Sequence, residues 1–209
     1  MDRPFIFRDD CNGKRWKVNL PAVRYERVDD IEKRVAALLA KGGIVGFFTG
    51  RSEFGPRALG RRSILADPRD PKMLQLLNDK VKHRQWFRPY APAVLAEHAK
   101  EYFNLKSPSP HMLLVADVLE DKKRIIPAVT HIDGTSRVQT VEKNGGSIRR
   151  VIEEFHRLTG VPMVLNTSFN DHGEPIVETP LDAFACFTKT HIDALALGPF
   201  LVTKERADG

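Results

Sequence analysis

Cysteine is nearly absent. Cys11 and Cys186 are the only two in 209 residues, and neither stands in a CxxC or Cys/His spacing. That argues against a disulfide framework and a zinc site, and predicts two reduced thiols. Long apolar runs are missing as well. The opening MDRPFIFRDD sets charges on both sides of a very short apolar stretch, unlike the h-region of a signal peptide, and no segment approaches the length of a membrane span. A cytoplasmic location and no membrane partner are the resulting expectations. Internal repeats and low-complexity tracts are lacking too, and no glycine-rich stretch ends in the GK[ST] of a P-loop.

What is present suits a folded domain with an anionic partner. Hydrophobic residues make up 42% of the chain, enough for the core of one large domain or two small ones. The formal charge of +6 does not choose among nucleic acid, nucleotide, phosphorylated metabolite and membrane surface. Residues 1–27 read as an N-terminal extension or linker stub, and residues 28–209 as the domain. Asp29 or Asp30 can cap a helix with apolar positions Ile31, Val35, Leu38 and Leu39, and Gly42-Gly43 stops it. IVGFF and SILAD read as strands, and Pro71 can open a helix through MLQLLNDKVK. AVLAE, MLLVADV, DGTSRVQTV, PMVLN and ALALG are further strands. SIRRVIEEFHRLTG, capped by Ser147 and closed by Gly160, and PLDAFACFTKT, with Pro180 near its start, are helices. The alternation predicts one layered α/β domain around a mixed sheet.

Four polar loops lie next to these strands. GRSEFGPRALGRRS, residues 50–63, sets Arg51, Arg57, Arg61 and Arg62 among glycines at the C-terminal end of a strand, where α/β proteins place ligands. Its guanidiniums can fork onto phosphate or carboxylate oxygens; a solvated loop with Glu53 paired to an arginine is the alternative. In KHRQWFRPYAP an extended chain would turn Lys82 and Arg84 to one side, with Arg88 following; a basic helix end complementing the dipole is the alternative. Trp86 and Phe87 read as core or sheet-face residues. In THIDGTSRVQT, His131, Asp133 and Arg137 fall in a loop feeding a strand, but HxD is a weak metal pattern and no metal site is expected. In VLNTSFNDHGEP a strand ends in Asn166, Thr167, Ser168 and Asn170, short side chains that can hold phosphate or acyl oxygens or make Asx and Ser/Thr turns. If the strands are neighbours, the loops converge on one cationic pocket.

These four stretches, in order over roughly residues 28 to 203, resemble the C-terminal domain of the carbamoyltransferase family, the NodU, CmcH and TobZ group. The resemblance implies a YrdC-like fold, a twisted open mixed β-sheet with flanking helices and a basic cleft. It further implies formation of carbamoyladenylate from carbamoyl phosphate and ATP, with Mg2+ on the nucleotide. An actin-like N-terminal domain, in cis or trans, would then carbamoylate a hydroxyl. Lys82-His83-Arg84 and Ser168-Phe169-Asn170 are similar to the Lys-x-Arg and Ser-x-Asn elements of YrdC-like proteins. By that likeness Lys82, Arg84, Ser168 and Asn170 are the catalytic set. Arg51, Arg57, Arg88, His131, Asp133, Arg137, Asn166 and Thr167 surround them as substrate- and nucleotide-binding residues. The chain departs from the family in having Arg61 where Asn is usual and Gln85 where Glu is usual, and the family's His-Asp metal site has no counterpart in these residues. Nucleic acid is not the expected partner. A basic nucleotide- or RNA-binding module and a catalytically silent fragment are the competing readings.

Overall fold

The computed structural model describes residues 5–8, 15–18, 23–85 and 87–204; Cys11 and Trp86 lie outside them. Strands β1 (Phe5–Arg8) and β2 (Arg15–Val18) pair antiparallel in a small sheet of their own. The main chain order is then β3 (Val23–Arg27), α1 (Ile31–Ala40), β4 (Val45–Phe48), β5 (Arg62–Ala66), α2 (Met73–Leu77), β6 (Ala91–Leu95), α3 (Ala99–Tyr102), β7 (Leu114–Asp117), β8 (Thr135–Val141), α4 (Gly146–Thr159), β9 (Met163–Ser168), α5 (Pro180–Lys189), β10 (Ala194–Leu197) and β11 (Phe200–Lys204).

Nine of these strands form one open mixed sheet, in the order β3-β11-β10-β4-β5-β9-β6-β8-β7. The β4–β10 and β6–β8 neighbours are parallel and the others antiparallel. Its central strands β4, β5, β6 and β10 are buried at every position, as a sheet covered on both faces requires. That is why they read as unbroken apolar runs. Helices α1 and α4 pack on each other, α4 reaches β6 and β9, and α5 reaches β4 and β10. Asp30 caps α1 by accepting from the Lys33 amide, and Thr179 with Asp182 forms a capping box around Pro180 at the start of α5, each satisfying backbone donors that the first helical turn leaves open.

Several expectations are corrected. Residues 23–27, read as part of the extension, are the edge strand β3, paired with β11 along its whole length; four of the five are exposed, so no apolar period marks them. Ser147 does not cap α4, which begins at Gly146 after Gly145. The helix read from Pro71 begins at Met73, and its last turn is π-helical, spanning Asn78–Lys82. Phe87 is 61% exposed rather than core.

Candidate functional site

The arginine-rich loop joins β4 to β5 and is tied down from within and from below. Among the described residues Glu53 pairs with no arginine side chain; its carboxylate accepts the amides of Leu59 (2.9 Å) and Arg61 (2.6 Å). Arg62 is buried and structural, donating to the carbonyls of Thr49 and Gly50, both at 3.0 Å, with its guanidinium 3.6 Å from the Phe48 ring centre. From the sheet, Gln139 on β8 donates to the Leu59 carbonyl (2.8 Å), while Asn166 on β9 donates to Gln139 Oε1 (2.7 Å) and the Ala58 carbonyl (3.2 Å). Gly60 has φ 118°, and a Cβ there would lie 2.5 Å from Ile148 Cβ on α4, so only glycine lets the loop pass this close. The bracing presents Arg57 with a buried Nε that has no partner.

The second element lies at the end of the π turn. Lys82 and Arg84 do not alternate along an extended strand: Lys82 closes the turn, and His83 adopts φ 43°. The two side chains therefore part company. Lys82 is buried at 4% exposure. Its Nζ meets the Ser168 carbonyl (2.5 Å), Asn170 Oδ1 (2.7 Å), the Asn170 carbonyl (2.8 Å) and Ser168 Oγ (3.3 Å). Burial, then Arg84 and Arg88, bring its pKa down to about 7 against the opposing pull of Cys186 and Asp171. Arg84 turns instead over the Tyr90 ring, 4.2 Å from its centre, with Nε 3.3 Å from Asn78 Oδ1. Tyr90 donates to the same oxygen at 2.7 Å, and burial pushes its pKa up to about 12, so this phenol is a neutral platform.

Arg137 on β8 completes the cluster. Its pKa is lowered first by burial and then by Arg57 and Arg84, and that of Arg84 first by burial and then by Arg88. Arg137 Nε, like that of Arg57, is buried without a partner. Arg57, Arg84 and Arg137, half-buried, and the exposed Arg88 thus lie near one another, and none has a carboxylate partner among the described residues; for the half-buried three this costs free energy until an anion enters. His131 stands beside it, Nε2 3.4 Å from the Tyr90 carbonyl and Nδ1 3.2 Å from Thr135 Oγ1. Its pKa is lowered first by burial, with Arg137 adding to it. A cavity of about 520 Å³ opens there, sharing Tyr90 and His131 and walled by Leu74, Phe87 and Ile132.

The structure therefore brings Arg57, Lys82, Arg84, Arg88, His131, Arg137, Ser168 and Asn170 together. Asp133 lines the cavity, but its carboxylate accepts the amide (3.0 Å) and hydroxyl (2.7 Å) of Thr135. Asn166 is buried as a brace, Thr167 lies on the other face of β9 from Asn166 and Ser168, and Arg51 is exposed on the loop. Residues not expected at the site are Tyr90, Asn78, Gln139 and Asp171. All four stood inside quoted motifs, but nothing in the spacing singled them out; Gln139 is one of several polar residues of TSRVQTV, and its role as an internal brace follows from its burial on β8.

The carbamoyltransferase C-terminus family model matches residues 36–204. The chain belongs to the carbamoyltransferase C-terminal domain family. Over 189 residues this chain is 47% identical to nodulation protein NolNO of Sinorhizobium fredii, covering 88% of this chain and 28% of that protein. It is 46% identical to nodulation protein NolO of Bradyrhizobium diazoefficiens, covering 87% and 34%, and thus spans about a third or less of these relatives. Solved structures share the fold: full-length HypF in a phosphate- and nucleotide-bound form (TM-score 0.55, 18% identity, 90% of this chain and 23% of that one) and P. abyssi Sua5 with L-threonine (TM-score 0.59, 16% identity, 87% and 49%). The architecture is thus the YrdC-like one. No group of three or more His, Cys, Asp or Glu among the described residues is placed to hold a metal ion, and no helix among them is long and apolar enough to cross a membrane.

Proposed function

We propose that this carbamoyltransferase domain binds carbamoyl phosphate and ATP in the cationic cleft and forms carbamoyladenylate. Water releases carbamate and phosphate from carbamoyl phosphate; a carbamate oxygen then forms a bond to the α-phosphorus of ATP as the bond to pyrophosphate breaks. An actin-like domain, in cis or trans, would pass the carbamoyl group to a hydroxyl, in keeping with relatives about three times as long. The observation that carries this reading is the Arg57–Arg84–Arg88–Arg137 group, with two buried Nε donors unpartnered. Two polyanions must be held side by side for this reaction, and fixed guanidiniums offset their repulsion and the charge that builds on the leaving group. The neighbouring cavity, with the neutral Tyr90 platform at its edge, is large enough for a nucleoside. Mg2+ would arrive on the nucleotide phosphates and offset charge there, since this site offers cations rather than metal ligands.

The test is carbamoyl-phosphate-dependent release of pyrophosphate from ATP. Wild-type protein should release it, and Arg84→Ala should lower the rate by about 30- to 700-fold, the equivalent of roughly 2 to 4 kcal/mol for one lost charge-assisted contact. Wild-type protein that binds neither substrate refutes the proposal.

A further inference from the structure

We infer that Lys82 is a positioning residue: its ammonium fastens the exit loop of β9, residues 168–170, to the end of the π turn, and it shapes the anion site without touching the anion. The inference rests on the cleft being an anion site, as proposed above. An ammonium has three hydrogens. Three oxygens lie at 2.5 to 2.8 Å from Nζ, two of them main-chain carbonyls and the third Asn170 Oδ1, and Ser168 Oγ is a fourth at 3.3 Å. No donor is left for a ligand.

The oxygens are themselves locked. Ser168 Oγ donates to Asn170 Oδ1 at 2.7 Å, and Asn170 Nδ2 donates to the Glu174 carbonyl at 2.7 Å. One residue on, His83 and Asp171 meet at 2.9 Å and form a second clasp between the same two segments. Lys82 and His83 both face the β9 exit, and the left-handed turn at His83 sends Arg84 the other way, onto Tyr90. The Lys-x-Arg and Ser-x-Asn elements divide the work: Lys82 holds residues 168–170, while Arg84 spends Nε on Asn78 Oδ1 and Nη2 on the Arg88 and Pro89 carbonyls at 3.3 to 3.4 Å and keeps Nη1 for the ligand.

The charged groups acting on Lys82 are Arg84 and Arg88 from the following loop, Asp171 from the β9 exit and Cys186 from α5.

The test is amide hydrogen exchange in the ligand-free protein, corrected for intrinsic rates, alongside calorimetric binding of a non-hydrolysable ATP analogue. Lys82→Met should speed exchange at residues 168–171 tenfold or more while β4 and β10 keep their protection. Arg84→Met should weaken analogue binding and leave exchange unchanged. If Lys82→Met does not fold, Asn170→Ala should loosen the same segment to a smaller extent. The inference is overturned if Lys82→Met weakens binding while the loop stays as protected as in wild type. Wild-type protein that binds no nucleotide overturns the proposed function instead, because the exchange results need no ligand.

Discussion

Arg137→Met offers a two-sided check on the cationic cleft, because its effects on stability and on binding carry opposite signs. Methionine keeps the apolar stem and removes the charge. In the ligand-free protein Arg137 is half-buried, and burial, Arg57 and Arg84 all act against its charge. Two unit charges roughly 8 Å apart at an effective dielectric near 20 repel by about 2 kcal/mol. After relaxation and solvent screening, relief of about 1 kcal/mol is expected, which raises Tm by about 2 to 4 °C in a domain of this size. Binding moves the other way. A lost hydrogen bond to a charged group costs about 2 to 3 kcal/mol, or roughly a 30- to 150-fold rise in Kd for an ATP analogue. Scanning calorimetry and titration calorimetry on one preparation read both. A variant with lower Tm and unchanged Kd would show that Arg137 is a structural cation and refute the reasoning.

Gly60→Ala should lower stability by about 2 to 4 kcal/mol, a Tm drop of roughly 5 to 15 °C. The new methyl would meet Ile148 at 2.5 Å with φ at 118°; a neutral result in thermal unfolding would mean the loop is not pressed on α4. Arg149 is a buried cation with partners, holding Glu97 at 2.6 and 2.9 Å and Glu153 at 2.7 Å. Arg149→Ala should cost about 1 to 2 kcal/mol at neutral pH, held down by the exposure of both carboxylates. The Arg149 hydrogen bonds chiefly bring the Glu97 pKa down to about 2 from 4.5. This contribution is therefore present above pH 4.5 and lost as pH falls toward 2. The Tm gap between wild type and variant should narrow over that range, and a constant gap would contradict the pairing.

The central strands were legible because burial on both faces leaves an apolar run that no helix of that length would need, as in VGFF and ALAL. β3 was not, since an edge strand with four exposed residues in five owes its place to main-chain pairing with β11, which leaves no trace in side-chain pattern. At the site, the loops that converge were readable from their position beside strands, but the roles inside them were not. Lys82 and Arg84 stand two apart, as an extended chain would have them, yet a π turn and one left-handed residue send them to different partners. The Glu53 carboxylate could have taken an arginine, but it sits where two amides of its own loop needed an acceptor. Such choices depend on which backbone groups are left open, and that is settled only when the chain has folded.

Counting arginines therefore says little about this cleft, whereas asking which cations are already satisfied says a good deal. Arg149 and Lys82 spend their donors on carbonyls, carboxylates or amide oxygens of this chain, as Arg62 does those of its two terminal nitrogens, and removing any of them leaves acceptors unpaired. Arg57 and Arg137 keep a buried Nε without a partner, and Arg84 and Arg88 crowd the same cleft. Their mutual repulsion would have no reason to persist in a purely structural loop, because a single nearby Asp or Glu would relieve it. The satisfied cations hold the walls at fixed positions, and Arg57, Arg84 and Arg137 stay half-buried among them. The repulsion they keep in the empty protein becomes attraction for a ligand with several negative charges close together. A nucleotide triphosphate beside an acyl phosphate meets that description better than a single carboxylate does.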